Sequence, residues 1–159
     1  MPTTKANEIL KQYWDETIPV DPVVIANRMG IAVMADPYLG TESGHYLPRG
    51  SETGNPLVVY NPREAYVRQR FTVAHELGHH ALNHGDSPRD TSANFTMGAN
   101  DRREVAANCF AAELLMPAEI VHALIKVRGI RTIEQLASMF NVSKAAMTYR
   151  VGNLGYVVN

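Results

Sequence analysis

Apolar residues recur along the chain with two periods, and the stretches where each holds predict the elements. Residues 6–14 have helical spacing, with Ile9, Leu10 and Tyr13 on one side. VDPVVIANRMG predicts a second helix: Asp21 caps it, Pro22 takes its first position and Gly30 ends it. IAVMAD reads as a short strand, and LVVY at 57–60 as a β-branched, buried one. The intervening PYLGTESGHYLPRGSETGNP is rich in Gly, Pro and Ser, so turns dominate, with a short strand at 45–47.

The next helix has a predicted start at Asn61, with Pro62 at its first position and Glu64 three residues after the cap, as in a capping box. It is expected to run to about His84, where Gly85 stops it. GDSPRDTSANFTMGAND reads as a polar loop and RREVAANCFAAELLM as another long helix, ended before Pro117. A short helix follows at 118–126, and the tail reads as helix, turn, helix and a terminal strand. The mix is α+β, with helices dominating. No repeat or linker divides it, so the expectation is one domain over 1–159. Its core lies in 1–117, and 118–159 form a C-terminal helical subdomain.

Composition narrows the function classes. The chain has 159 residues, 45% apolar and 19% charged, and a formal net charge of −1. No global field therefore favours nucleic acid or an anionic membrane. A single cysteine, Cys109, builds no disulfide framework and fits a reducing compartment. No stretch approaches the roughly 20 apolar residues of a membrane span, and the N-terminus has no apolar signal core. A soluble cytoplasmic protein is expected.

The chemistry concentrates in FTVAHELGHHALNH, residues 71–84. His75 and His79 are four apart on a predicted helix, so they share a face and both imidazoles can reach one ion. Neutral imidazole suits Zn²⁺, and this ligand set admits Mn²⁺ or Fe²⁺ as well. Glu76 is offset by one position, where it can stand beside a metal and act as general base. An HExxH string also arises by chance on surface helices. Here Ala74 and Gly78 leave room near the backbone, and a glycine that costs roughly 1 kcal/mol in a helix interior implies a close approach of ligand or backbone. His80 is rotated by about 100° from His79, so it packs or faces solvent. His84 sits near the helix C-terminus, where the dipole favours it. The metzincin spacing would put Gly and His where Leu82 and Gly85 stand, so His84 is not the third ligand of that pattern.

A catalytic zinc site usually has three protein ligands. The downstream carboxylates are Asp86, Asp90, Asp101, Glu104, Glu113 and Glu119. Glu104 is preferred because a regular helix controls ligand position better than a loop. Asn108, four residues later on the same face, is placed to orient a histidine through its other ring nitrogen. Glu113 falls on roughly the opposite face. Cys109 is expected to be a buried free thiol.

RQRFTVAHELGHHALNH followed by REVAANCFAAELLMP resembles the ImmA/IrrE family of zinc metallopeptidases. The likeness extends to DPVVIANRMGIAV, SGHYLP, NPLVVYNP and LASMFNVSKAAMTYRVGNLG, and so covers most of the chain. The resemblance implies a zincin-like (gluzincin) fold with His75, His79 and Glu104 as zinc ligands and Glu76 as catalytic base. It also implies a protein substrate: an Xre-type repressor of a mobile element, phage or stress response, or an antitoxin-like partner. The chain looks like the stand-alone form, its target on another polypeptide.

Three further expectations follow. His45 and Tyr46 are the candidates for stabilising a developing oxyanion, beside the plainer reading of aromatic residues packed at a strand end. The strand at 57–60 would accept an extended substrate if it lay at a sheet edge. The tail has helix-turn-helix spacing, but its second helix carries only Lys144 and Arg150 as basic residues, which favours a structural or docking role over DNA binding. A metal-containing regulator that sequesters its repressor without cutting it would use the same ligands.

Overall fold

Helix α1 (Pro2–Tyr13) buries Ala6, Ile9 and Leu10, the stripe that the spacing predicts, although it starts four residues earlier. In the computed structural model of the chain the described residues are 1–85, 90–91 and 102–159. Helix α2 (Pro22–Arg28) begins as expected, with Asp21 Oδ1 accepting from the N–H groups of Val23 (3.0 Å) and Val24 (3.3 Å). Gly30 then turns the chain at φ +82°.

Strands β1 (Ala32–Ala35), β2 (Glu42–Leu47), β3 (Leu57–Tyr60) and β4 (Asp90–Thr91) form one sheet in the order β1-β3-β2-β4. β1 and β3 are parallel, and β2 is antiparallel to both its neighbours. β3 thus lies inside the sheet, paired on both sides. It offers no free edge, so the expected substrate-strand role for 57–60 does not hold. The strand expected at 45–47 is longer and starts at Glu42. Beyond β4, the polar loop expected over 85–101 lies outside the described residues except for Gly85.

Helix α3 (Tyr66–Ala81) starts later than the capping box predicts. The reason is that Asn61 and Glu64 are committed to the sheet. The Asn61 amide donates to the carbonyls of Gly40 (3.1 Å) and Glu42 (2.9 Å), and Glu64 accepts from Ser43 Oγ (3.1 Å). Asn61 Oδ1 accepts from the Arg63 N–H and so caps only a turn. Helix α4 (Arg102–Leu115) packs on α3 and α1, and α3 covers one face of the sheet. Tyr46 and Val58 join the main core from that face.

Helices α5 (Ala118–Lys126), α6 (Ile133–Phe140) and α7 (Lys144–Asn153) follow. Two buried arginines attach this part to the rest. Arg70 of α3 donates from Nε to the Asn141 carbonyl (2.9 Å) and from Nη2 to the Phe140 carbonyl (3.1 Å), satisfying the end of α6. Arg150 of α7 donates from Nε to the Met116 carbonyl (2.9 Å) and pairs with Glu113. The expected terminal strand is not formed. The Asn159 carbonyl instead accepts from Ile133 N–H at 2.7 Å, at the start of α6. Among the described residues no single helix is long and apolar enough to cross a membrane.

Candidate metal centre

The site begins with a glycine that lets two helices touch. A Cβ built on Gly78 would lie 3.1 Å from Phe110 Cδ1, 3.2 Å from Ala107 Cα and 3.3 Å from the Ala107 carbonyl oxygen. The close approach that its helix-interior position implies is therefore the backbone of α4. Gly44 makes a second such approach, because a Cβ there would meet the Val59 carbonyl oxygen at 2.3 Å and Thr72 Cγ2 at 2.6 Å. Sheet, α3 and α4 are thereby drawn together around the HExxH turn.

At the α3–α4 contact the structure brings His75, His79 and Glu104 together. His75 Nε2 lies 3.0 Å from Glu104 Oε2, His79 Nε2 lies 3.1 Å from Glu104 Oε1, and the two Nε2 atoms are 3.2 Å apart. Both histidines are 0% exposed and Glu104 is 8% exposed. Two ligands held about 2.05 Å from a tetrahedral zinc would be about 3.3 Å apart, so this donor spacing fits a bound ion.

The hydrogen-bond chemistry agrees. Asn108 Oδ1 lies 2.8 Å from His75 Nδ1, and a carbonyl oxygen can only accept, so Nδ1 carries a proton. In the neutral ring, Nε2 then turns a lone pair towards Glu104. Lone pairs facing a carboxylate in a buried pocket require a cation between them, either a proton or a metal ion. Burial alone would raise the Glu104 carboxyl. Hydrogen bonds and charge interactions with His75 and His79 outweigh that and hold it well below the ordinary value of 4.5. Glu76, next to His75, is buried at 0% exposure.

No other carboxylate among the described residues joins this group of ligands. Glu113 is paired with Arg150, and Glu119 is exposed on α5. Asp86 and Asp101 lie outside the described residues, as does the side chain of Asp90. Strand alternation separates His45 from Tyr46: Gly44 and Tyr46 face α3, whereas His45 shares the opposite face with Val59. His45 Nδ1 is buried there without a hydrogen-bond partner among the described residues. The Tyr46 hydroxyl sits 2.8 Å from His80 Nδ1, and burial pushes the His80 imidazole below its ordinary 6.5. His80 is therefore half-buried, packed edge-on against Tyr46. Cys109 is exposed, contrary to expectation, because α4 turns Ala107 and Phe110 inward on either side of it.

Sequence reasoning missed two contacts. One is the Arg70 clamp, which leaves no periodic signal because an inward arginine looks like a surface one. The other is His84, whose Nδ1 lies 2.9 Å from His79 Nδ1.

An HExxH helix completed by a carboxylate from a neighbouring helix is an arrangement that metallopeptidases use, and the chain belongs to such a family. Residues 26–151 match the IrrE N-terminal-like domain, peptidase M78, which makes the chain a member of the ImmA/IrrE family. It is 33% identical over 122 residues to "Metallopeptidase ImmA" of Bacillus subtilis (strain 168), a match spanning 76% of this chain and 69% of that protein. Its fold is similar to the solved structure of a "Mycobacterium tuberculosis transcriptional regulator", with TM-score 0.65 and 20% identity. That match covers 94% of this chain and 45% of the other, so the chain spans under half of that protein's length. At such identity the likeness is one of fold alone.

Proposed function

We propose that the chain is a zinc-dependent endopeptidase with a gluzincin-like site, acting in the cytoplasm on a partner repressor of the Xre type. The observation that carries the reading is the convergence of His75, His79 and Glu104 in one buried pocket beside Glu76. Zinc held by these three residues supplies Lewis acidity, which makes water nucleophilic near neutral pH and polarises a carbonyl. Asn108 fixes the His75 ring so that Nε2 faces the pocket. Glu76 accepts the proton of the attacking water and returns it to the leaving amine.

The target is proposed to be another protein rather than DNA. Of the two basic residues on α7, Arg150 is buried on Glu113, and Lys144 lies 3.8 Å from Glu134. Only Lys144 is therefore exposed, and one lysine is little positive charge for phosphate contacts, which supports a docking role for the C-terminal helices.

The test uses the repressor encoded nearest this gene. Wild-type protein is expected to cut it into defined fragments. Glu76→Gln should keep its metal and lose about 10²–10⁴-fold in cleavage rate. Cleavage retained by Glu76→Gln would refute the role of Glu76. Tight binding of an uncut repressor by both proteins would favour the sequestering regulator instead.

A further inference from the structure

The end of α3 folds a fourth histidine back onto the cluster. Leu82 caps the helix, Asn83 takes a left-handed φ of +58°, and Gly85 takes one of +74°. The reversal closes a hydrogen bond from the His84 N–H to the His79 carbonyl at 2.9 Å, the long-range bond of a Schellman-type cap. A consequence beyond the cap is where it leaves the side chain. The His84 ring stands 5.1 Å from the His79 ring, centroid to centroid and inclined by 63°, with the two Nδ1 atoms 2.9 Å apart.

Only one hydrogen can lie between two Nδ1 atoms. If neutral His79 is to turn a lone pair at Nε2 towards the pocket, its proton must sit on Nδ1. His84 must then accept at Nδ1 and carry its own proton on Nε2. We infer that His84 is a positioning residue for His79, its Nδ1 accepting the His79 Nδ1–H so that Nε2 is held as the metal-facing donor. The inference rests on the metal reading above. It gives the two imidazoles matched outer supports: Asn108 Oδ1 for His75 and His84 Nδ1 for His79. The first comes from the facing helix and the second from the cap of the same helix. Outer hydrogen-bond partners of this kind typically set metal affinity by about 10–100-fold.

The experiment measures metal binding by the full chain, stripped with a chelator, by Zn²⁺ titration in competition with a chromophoric chelator and by the visible spectrum of the Co²⁺ form. His84→Leu removes the acceptor and keeps bulk, and should weaken Zn²⁺ binding by about 10–100-fold with altered Co²⁺ bands. His84→Asn places Oδ1 where Nδ1 was and should recover affinity to within a few-fold. The cap bond is made by the backbone, so His84→Asn should match wild type in metal-free melting temperature, while His84→Leu, which leaves the buried His79 Nδ1 without its partner, should melt somewhat lower.

Wild-type affinity in His84→Leu would overturn the inference and leave the metal reading intact. Equal losses of affinity in the Leu and Asn variants, or a metal-free melting temperature lowered equally in both, would replace it with a packing role. If wild type and His75→Ala bind Zn²⁺ equally poorly, the metal reading itself falls.

Discussion

Helix α4 carries a buried glutamate near each end, and the two keep different company. Glu113 faces donors: the Arg150 guanidinium pairs with it, and the Ala118 N–H reaches its Oε1 at 3.3 Å. Arg150 spends its Nε on the Met116 carbonyl, so the pair is answered on both sides. Glu104 faces two imidazole nitrogens, at 3.0 and 3.1 Å, of which at least His75 Nε2 is a lone pair in the neutral ring. Donors meet acceptors at one end, whereas at the other a proton or a metal ion must lie between the imidazole nitrogens and the carboxylate. Burial of a carboxylate alone therefore does not mark a site. The balance of donors and acceptors around it separates a closed structural pair from a place built for a cation.

Breaking the Glu104 end should have the largest effect on metal. Glu104→Gln keeps shape but removes the charge, and the purified variant is expected to lose the metal that wild type retains through dialysis, as elemental analysis would show. The same variant has a pH signature in metal-free protein. The folded-state pKa of Glu104 lies below the ordinary 4.5, so its contribution to stability is fully present above about 4.5 and is lost as pH falls below that. Glu104→Gln should flatten this acid limb in melts taken between neutral and acidic pH. An unchanged limb would show that the His75–His79 pair does not hold the carboxyl ionised.

Breaking the Glu113 end should do the reverse: a large loss of stability with metal untouched. Glu113→Ala strands a buried guanidinium, and such a change typically costs about 3–5 kcal/mol. Denaturant unfolding would read the loss, and metal stoichiometry should stay at the wild-type value. Replacing the pair together, with Glu113→Leu and Arg150→Met, should recover most of that loss, because a buried ion pair exchanged for apolar bulk is often close to neutral. Metal loss in the Glu113 variant equal to that in Glu104→Gln would erase the distinction between the two ends.

The contrast also explains what could be read in advance. Local signals were legible: the i, i+4 histidines, the Asp21 cap with Pro22, and Pro117 ending α4. Glu104 and Asn108 were legible too, because one helix face can be followed by counting. The misses lie where a side chain has a choice of partner across the fold. Asn61 and Glu64 have the pattern of a cap but bond to β2, and the Arg70 guanidinium travels inward to the end of α6. His84 looked like a helix-end histidine because spacing gives its distance along the axis. The left-handed turn at Asn83 then swings it back to His79. Position within an element is periodic and readable, whereas the reversal after an element depends on one or two backbone angles.

A smaller perturbation tests whether the cluster depends on how closely α3 and α4 approach. Gly78→Ala adds one methyl group where Phe110 and Ala107 already stand at 3.1–3.3 Å. Helix propensity favours alanine by about 1 kcal/mol, while overpacking against backbone costs about 1–3 kcal/mol. Because Ala107 meets the methyl with backbone atoms, which yield less than a side-chain tip, the packing term should win and stability should fall by about 1 kcal/mol. The histidines ride on α3 and Glu104 on α4, so any separation of the helices lengthens the His–Glu distances directly. Zinc affinity should therefore drop in Gly78→Ala, whereas Glu113 and Arg150, at the far end of α4, should keep their pairing. A Gly78→Ala protein that is more stable than wild type and binds zinc equally well would show that the helix contact does not set the spacing of the donor atoms.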